Sequence, residues 1–189
     1  MAGISKVAVR YANALYSLAV ERGVADQVFA EMQVFGETYD KVADFKAMLK
    51  SPVIRFDKKV SAIRAVFPSF SELTNAFVEK LAKSRREQYL GDIARAYVNL
   101  YNAKKGILVA HVATAVPLTA LLRDRIKNIV RTAPGFAGAT EIILEEKVDP
   151  SMIGGYILTV GDKQIDMSFA HEISDLKRSF DQNLYIKEY

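Results

Sequence analysis

The hydrophobic period of this 189-residue chain changes once, at Gly106. Before it, apolar residues recur every three to four positions, the spacing that lines one face of an α-helix. After it, the run Ile107-Leu108-Val109-Ala110-His111-Val112-Ala113-Thr114-Ala115-Val116 holds no Asp, Glu, Lys or Arg and is ended by Pro117. Such a run, apolar at both alternating positions, reads as a strand covered on both faces. Lys104 and Lys105 place cations at the negative end of a helix, and Gly106 supplies the C-terminal stop. A change of period at a stop signal is a domain boundary. The expectation is an α+β protein, with an all-α bundle over 1–105 and a small α+β domain over 106–189.

The front half reads as six helices. From Ser5 to Arg22, Ala8, Tyr11/Ala12, Leu15 and Leu18/Ala19 keep helical spacing, while Val7, Ala14 and Val20 widen the apolar surface beyond one stripe. A helix apolar on more than one side needs more than one neighbour. That neighbour is either another helix of the same bundle or a helix from another chain. Gly23 breaks the pattern, and Val28, Met32, Phe35, Tyr39 and Val42 make a second seam. Phe45, Met48 and Leu49 continue as a short helix stopped at Pro52. Asp57 suits the N-cap of a fourth, with Val60, Ile63 and Phe67 as its seam. Ser69-Phe70-Ser71-Glu72 has capping-box spacing and opens a fifth, carrying Leu73, Phe77/Val78 and Leu81, with Asn75 and Arg85 near its ends. Tyr89/Leu90, Ile93/Ala94, Tyr97 and Leu100/Tyr101 form the sixth. Six helices on short connections make a bundle, and their aromatics read as its core.

The back half gives the order β-α-β-β-β-α. Thr119 can cap a helix with Leu122, Ile126 and Ile129/Val130 inward and Arg123, Arg125, Lys127 and Arg131 outward. A loop over 133–138 and a strand over 140–148 follow. Asp149-Pro150 presets a turn, and Gly154-Gly155 permits backbone angles or close approaches that a Cβ forbids. Tyr156 to Val160 alternates as a strand. Gly161-Asp162 is a two-residue loop with glycine first, suited to a type II′ hairpin returning through Lys163 to Asp166. Ser168 can cap a last helix with Phe169, Ile173, Leu176 and Phe180 as its seam.

Little here points to chemistry. Neither His111 nor His171 has the partner spacing of a zinc site, and the chain has no cysteine to serve as nucleophile or metal ligand. No phosphate-binding glycine loop is present, so no cofactor and no metal is expected. Glu145/Glu146 and Asp162/Asp166 are the only carboxylate pairs worth weighing for acid–base work, and they read as solvated faces. The longest uncharged run, Gly106 to Leu122, falls short of the roughly 20 apolar residues of a spanning helix. The first seven residues lack the apolar core of a secretory signal, which points to a bacterial cytoplasmic setting. Charge is uneven. Residues 1–105 hold 17 Lys and Arg against 11 Asp and Glu, a balance of +6, while residues 106–189 hold 9 against 11, a balance of −2. A basic front half allows a helical adaptor for nucleic acid or acidic partners, although its cations are dispersed and form no stripe.

Three stretches together resemble the δ subunit family of F-type ATP synthases, whose mitochondrial counterpart is the oligomycin-sensitivity-conferring protein. They are Arg10-Tyr11-Ala12-x-Ala14-Leu15, the segment Asn75 to Arg85, and Asp149-Pro150-Ser151-Met152-Ile153-Gly154-Gly155 followed by Val160-Gly161-Asp162 and Ile165-Asp166. The resemblance covers nearly the whole chain. It departs after Asp166, where the family commonly has an arginine and this chain runs Met167-Ser168-Phe169-Ala170-His171.

The resemblance implies a non-catalytic stator subunit, one copy per complex, at the cytoplasmic face of the bacterial inner membrane. It implies that the helical domain binds the N-terminal helix of an F1 α subunit and that the C-terminal domain binds the C-terminal ends of the b subunits of the peripheral stalk. Carried over to this sequence, the α-helix groove falls on Ala8, Tyr11, Ala12, Leu15, Asn75, Phe77, Val78, Leu81 and Arg85. Each of these is equally compatible with bundle core. Asp149, Pro150, Gly154, Gly155, Gly161, Asp162 and Asp166 are the structural signature.

Overall fold

A computed structural model describes residues 5–132, 139–161 and 163–182. It is a helix-rich α+β protein, with eight α-helices and a four-stranded sheet among the described residues. The chain divides into two compact units, Met1–Lys104 and Lys105–Tyr189.

The first unit contains α1 (Lys6–Glu21), α2 (Ala25–Lys41), α3 (Ala43–Lys50), α4 (Phe56–Val66), α5 (Glu72–Lys83) and α6 (Leu90–Lys105), with a 3₁₀ turn at Glu87–Tyr89 before α6. Ser5 caps α1 by accepting from the Ala8 N–H at 3.1 Å. The inner stripe of α1 is Ala8, Ala12, Leu15 and Ala19, each essentially excluded from solvent. Around it lie Phe35, Leu49, Ile93 and Tyr97, and at one end the rings of Phe35, Phe45, Phe67 and Phe70 meet, with Phe67 and Phe70 stacked at 4.6 Å. Burial raises the pKa of the Tyr97 hydroxyl above its usual range.

Two helix starts differ from the sequence expectation. The α4 N-cap is Arg55, whose side chain makes no capping bond, and Asp57 lies in the first turn paired with Arg55 at 3.0 Å. The α5 N-cap is Ser71, not Ser69, so Glu72 sits at the first helical position and cannot reach back as a capping box requires. Glu31 of α2 takes that role. Its carboxylate accepts from the Ser71 N–H at 2.7 Å and from the Ser71 hydroxyl at 2.9 Å, while the Ser71 Oγ accepts from the Thr74 N–H. The capping thereby ties α2 to α5.

The second unit contains β1 (Ile107–Thr114), α7 (Ala120–Thr132), β2 (Glu141–Val148), β3 (Gly155–Val160), β4 (Lys163–Ser168) and α8 (Phe169–Gln182). The sheet order is β2-β1-β3-β4, with β1 and β2 parallel and the other pairs antiparallel. Parallel neighbours need a crossover, which α7 provides. Ile126 and Val130 of α7 pack on Ala110, Val112, Ile142, Leu158 and Val160 from one face of the sheet.

Here β1 differs from expectation. The residues between those core positions, Val109, His111 and Ala113, lie on the opposite face, where His111 is exposed and its Nδ1 sits 3.0 Å from Glu145 Oε2. Val109 and Ala113 are only half-buried, so although the run is apolar at both alternating positions the strand is covered on one face. The seam of α8 lies in solvent. Phe169, Ile173, Leu176 and Phe180 are 46% to 74% exposed, so this stripe is not turned into the core.

Candidate partner-binding site

The nine residues expected to form a helix groove do not share one surface. Ala8, Ala12 and Leu15 of α1 and Val78 and Leu81 of α5 are at most 2% exposed and belong to the first core. They are core residues and not groove lining, since a side chain closed off by its own unit offers no surface to another chain. The alanines let helices approach closely, which is why small residues sit at the centre of the packing. Asn75 is part-buried. Its Nδ2 donates to the carbonyls of Phe70 at 2.9 Å and Ser71 at 3.1 Å, which fastens the start of α5.

Tyr11 and Phe77 are the two that stay at the surface together. Both are partly buried against the core, with their rings edge to face at 6.4 Å. Beside them runs a groove of about 560 Å³ lined by Val7, Arg10, Tyr11, Ala14, Arg86 and Tyr89. The α1 residues belong to a second stripe, Val7, Tyr11, Ala14 and Leu18, at spacings of four, three and four. Val7 is 37% and Leu18 44% exposed.

Arg85, expected in the groove, is displaced by its neighbour. The chain leaves α5 through Ser84 and Arg85, and Arg85 adopts a φ of 54°. That left-handed step turns the exposed Arg85 to a different cleft, shared with Leu49, Lys59 and Glu87. Arg86 then reaches Tyr11. Its Nη1 donates to the Tyr11 hydroxyl at 2.5 Å, and its guanidinium lies 5.6 Å from the Tyr11 ring centroid. The sequence signals the α1 part of the groove through the apolar surface that Val7 and Ala14 add, whereas nothing in Ser84-Arg85-Arg86 announces which arginine reaches Tyr11.

The signature stretch builds a junction in the second unit. Asp149 Oδ1 accepts from the Ser151 N–H at 3.0 Å and the Ser151 hydroxyl at 2.6 Å, and the Met152 N–H closes the turn around Pro150 on the Asp149 carbonyl at 3.1 Å. These bonds hold the Asp149 carboxyl below its usual pKa. Gly155 has a φ of 79°, and a Cβ there would lie 2.2 Å from the Met167 carbonyl oxygen. A Cβ on Gly154 would meet the Phe169 ring at 2.6 Å, and the Gly154 carbonyl accepts from the Phe169 N–H at 3.2 Å. Gly161, at φ 60°, opens the loop between the paired Val160 and Lys163; Asp162 lies outside the described residues. Asp166 Oδ1 accepts from the Ser168 N–H at 2.9 Å, and Ser168 Oγ caps α8 by accepting from the His171 N–H at 3.3 Å. The Ser168 bonds also lower the Asp166 pKa. His171, at the place of the missing arginine, faces Asp175 one turn on, with Nε2 3.3 Å from Oδ2.

The carboxylates weighed for acid–base work have other partners. Glu145 faces His111, and Glu146 pairs with Arg123 of α7, which lowers the Glu146 pKa. Among the described residues no three His, Asp or Glu side chains come together as a metal site, and no helix is long and apolar enough to cross a membrane.

These features define a class: an α+β chain of two cores that leaves an apolar helix seam in solvent in each, α1 in the first and α8 in the second. The profile of the ATP synthase delta (OSCP) subunit matches residues 7–180, and the chain belongs to that family. It is 32% identical over 174 residues to the ATP synthase subunit delta of Flavobacterium psychrophilum, covering 92% of this chain and 96% of that protein. It is 35% identical over 176 residues to the same subunit of Sinorhizobium medicae, covering 92% of each. Its fold is similar to a chain in the cryo-EM structure of the Toxoplasma gondii mitochondrial ATP synthase hexamer, with a TM-score of 0.73 at 20% identity over 93% of this chain and 98% of that one. The alternative of a nucleic-acid adaptor finds no support in these comparisons.

Proposed function

We propose that this protein is the non-catalytic stator subunit of an F-type ATP synthase, joining the top of the F1 head to the peripheral stalk and resisting rotor torque during proton-driven synthesis. The two units act as two domains, 1–105 and 106–189. The first receives the N-terminal helix of one α subunit in the groove that Tyr11 lines and Phe77 adjoins. The second offers α8 to the C-terminal ends of the b subunits. One copy serves each complex, held at the cytoplasmic face of the bacterial inner membrane through the complex alone.

The observation that carries this reading is the spacing of the two uncovered seams. Val7, Tyr11, Ala14 and Leu18, and Phe169, Ile173, Leu176 and Phe180, both step by four, three and four. A 3.5-residue period is the pattern that a partner helix covers, by knobs packing into holes. Two such seams in separate cores suit a tether with one partner at each end.

The test is a pair of pull-downs with F1 depleted of this subunit and with the soluble part of b. Ala14→Lys is expected to abolish F1 binding and spare b, while Ile173→Asp does the reverse. A parent protein that binds neither partner, or variants that lose both together while folded, would refute the assignment.

A further inference from the structure

The α1 groove carries charge of one sign. Arg10 and Arg86 border its apolar surface, and none of its six lining residues is acidic. Among the described residues, neither guanidinium forms an ion pair with a carboxylate. Arg86 is also held in place. One of its N–H groups goes to the Tyr11 hydroxyl, and the cation rests over the same ring. A guanidinium has five N–H donors in a fixed fork, so Arg86 keeps enough of them to grip a carboxylate with two parallel bonds. Because Tyr11 already restricts it, less side-chain freedom is lost when a partner arrives.

We propose that the helix received by this groove is acidic along the edges of its apolar stripe, with one carboxylate taken by Arg86 and another facing Arg10, and that this match selects which helix binds. The inference rests on reading the groove as a helix-docking surface and adds the charge of the occupant. The apolar stripe supplies the holding contacts. The arginines, exposed at the rim, steer approach and reject helices of the wrong sign, which is the work rim charges do best. The preference therefore weakens with salt.

The experiment uses the full chain and three synthetic amphipathic helices sharing one leucine stripe, with Glu, Gln or Lys at the flanking positions. Binding is followed by fluorescence anisotropy at low and high salt, with depleted F1 measured alongside. The Glu peptide is expected to bind about tenfold more tightly than the Gln peptide, equivalent to about 1.4 kcal/mol. The Lys peptide should bind most weakly, and the gap should narrow in high salt. Arg86→Gln combined with Arg10→Gln should bind Glu and Gln peptides alike, and Arg10→Gln alone should lie between. Circular dichroism and melting midpoints matching the parent establish that both variants are folded. Equal binding of Glu and Gln peptides by the parent overturns the proposal, as does a preference that survives loss of both arginines. If F1 binds normally and no peptide does, the charge rule fails while the docking surface stands. If F1 fails to bind as well, the docking reading itself falls.

Discussion

Removing the Glu87 carboxylate should cost the first unit far more stability than its place in a surface turn suggests. Glu87 follows Arg86 directly, and its Oε1 lies 2.7 Å from Lys59 Nζ. The Lys59 side chain is 2% exposed, and its one other acceptor among the described residues is the Leu49 carbonyl at 3.0 Å. Glu87→Ala leaves a buried ammonium with one neutral partner, a change worth roughly 3–5 kcal/mol. At about 4 °C or more per kcal/mol for a unit of this size, the melting midpoint should fall by over about 12 °C. The pair is nonetheless incompletely satisfied. Glu87 Oε2 is the one buried side-chain oxygen or nitrogen among the described residues without a hydrogen-bond partner. Replacing both residues, as Lys59→Met with Glu87→Leu, should therefore recover at least the parent stability, because removing both charges together leaves neither unpaired. Urea unfolding followed by helical circular dichroism measures both variants. A Glu87→Ala loss below about 1 kcal/mol, or a double variant less stable than the single, would refute the argument. The pair also anchors the backbone that presents Arg86, so Glu87→Ala should loosen the groove at temperatures where the unit is still folded.

Gly155→Ala should prevent the second unit from closing, since the new Cβ would meet the Met167 carbonyl at 2.2 Å and the Ser168 Cα at 2.8 Å, and backbone cannot step aside as a flexible side chain can. Amide exchange should show β3 and β4 unprotected with the first unit intact, and native protection would contradict the clash. Asp166 has a folded-state pKa below its unfolded value, held down by the Ser168 hydroxyl and N–H. Its stabilising contribution is thus complete above about pH 4 and is lost as pH falls through the lower folded value. Asp166→Asn should flatten that part of the acid-unfolding profile of the second unit, and an unchanged slope would show that the bond to Ser168 does not carry the dependence.

The back half was the more legible because turn chemistry is local. Thr119 and Ser168 cap their helices through their own side chains, at Leu122 and His171, and each signal lies within three residues of its effect. The front half used a cap that sequence spacing cannot reveal: Glu31 reaches Ser71 across 40 positions. Burial on the sheet escapes the sequence for a related reason. Alternation shows that Val109 and Ala113 are apolar but cannot show that β1, paired on both sides, receives a helix on only one face. The exposed seam of α8 fails in the same way, since periodicity draws the stripe without naming what covers it.

The same limit applies to α1, where periodicity draws two apolar stripes without telling which one the first core buries. Two adjacent stripes run along that helix, Ala8, Ala12, Leu15 and Ala19, and Val7, Tyr11, Ala14 and Leu18, offset by one residue and so by about 100° around the axis. A rule that large apolar residues go inside would bury the second. The structure buries the first, because three alanines let α1 sit close to its neighbours, and leaves the stripe with valine, tyrosine and leucine in contact with water. At about 25 cal/mol per Å², that exposed stripe is a standing source of free energy for any helix that covers it. Folding alone does not require this arrangement, since polar residues at Val7 and Leu18 would leave the core intact. An apolar stripe beside a tethered arginine is instead what the proposed docking of a partner helix would use.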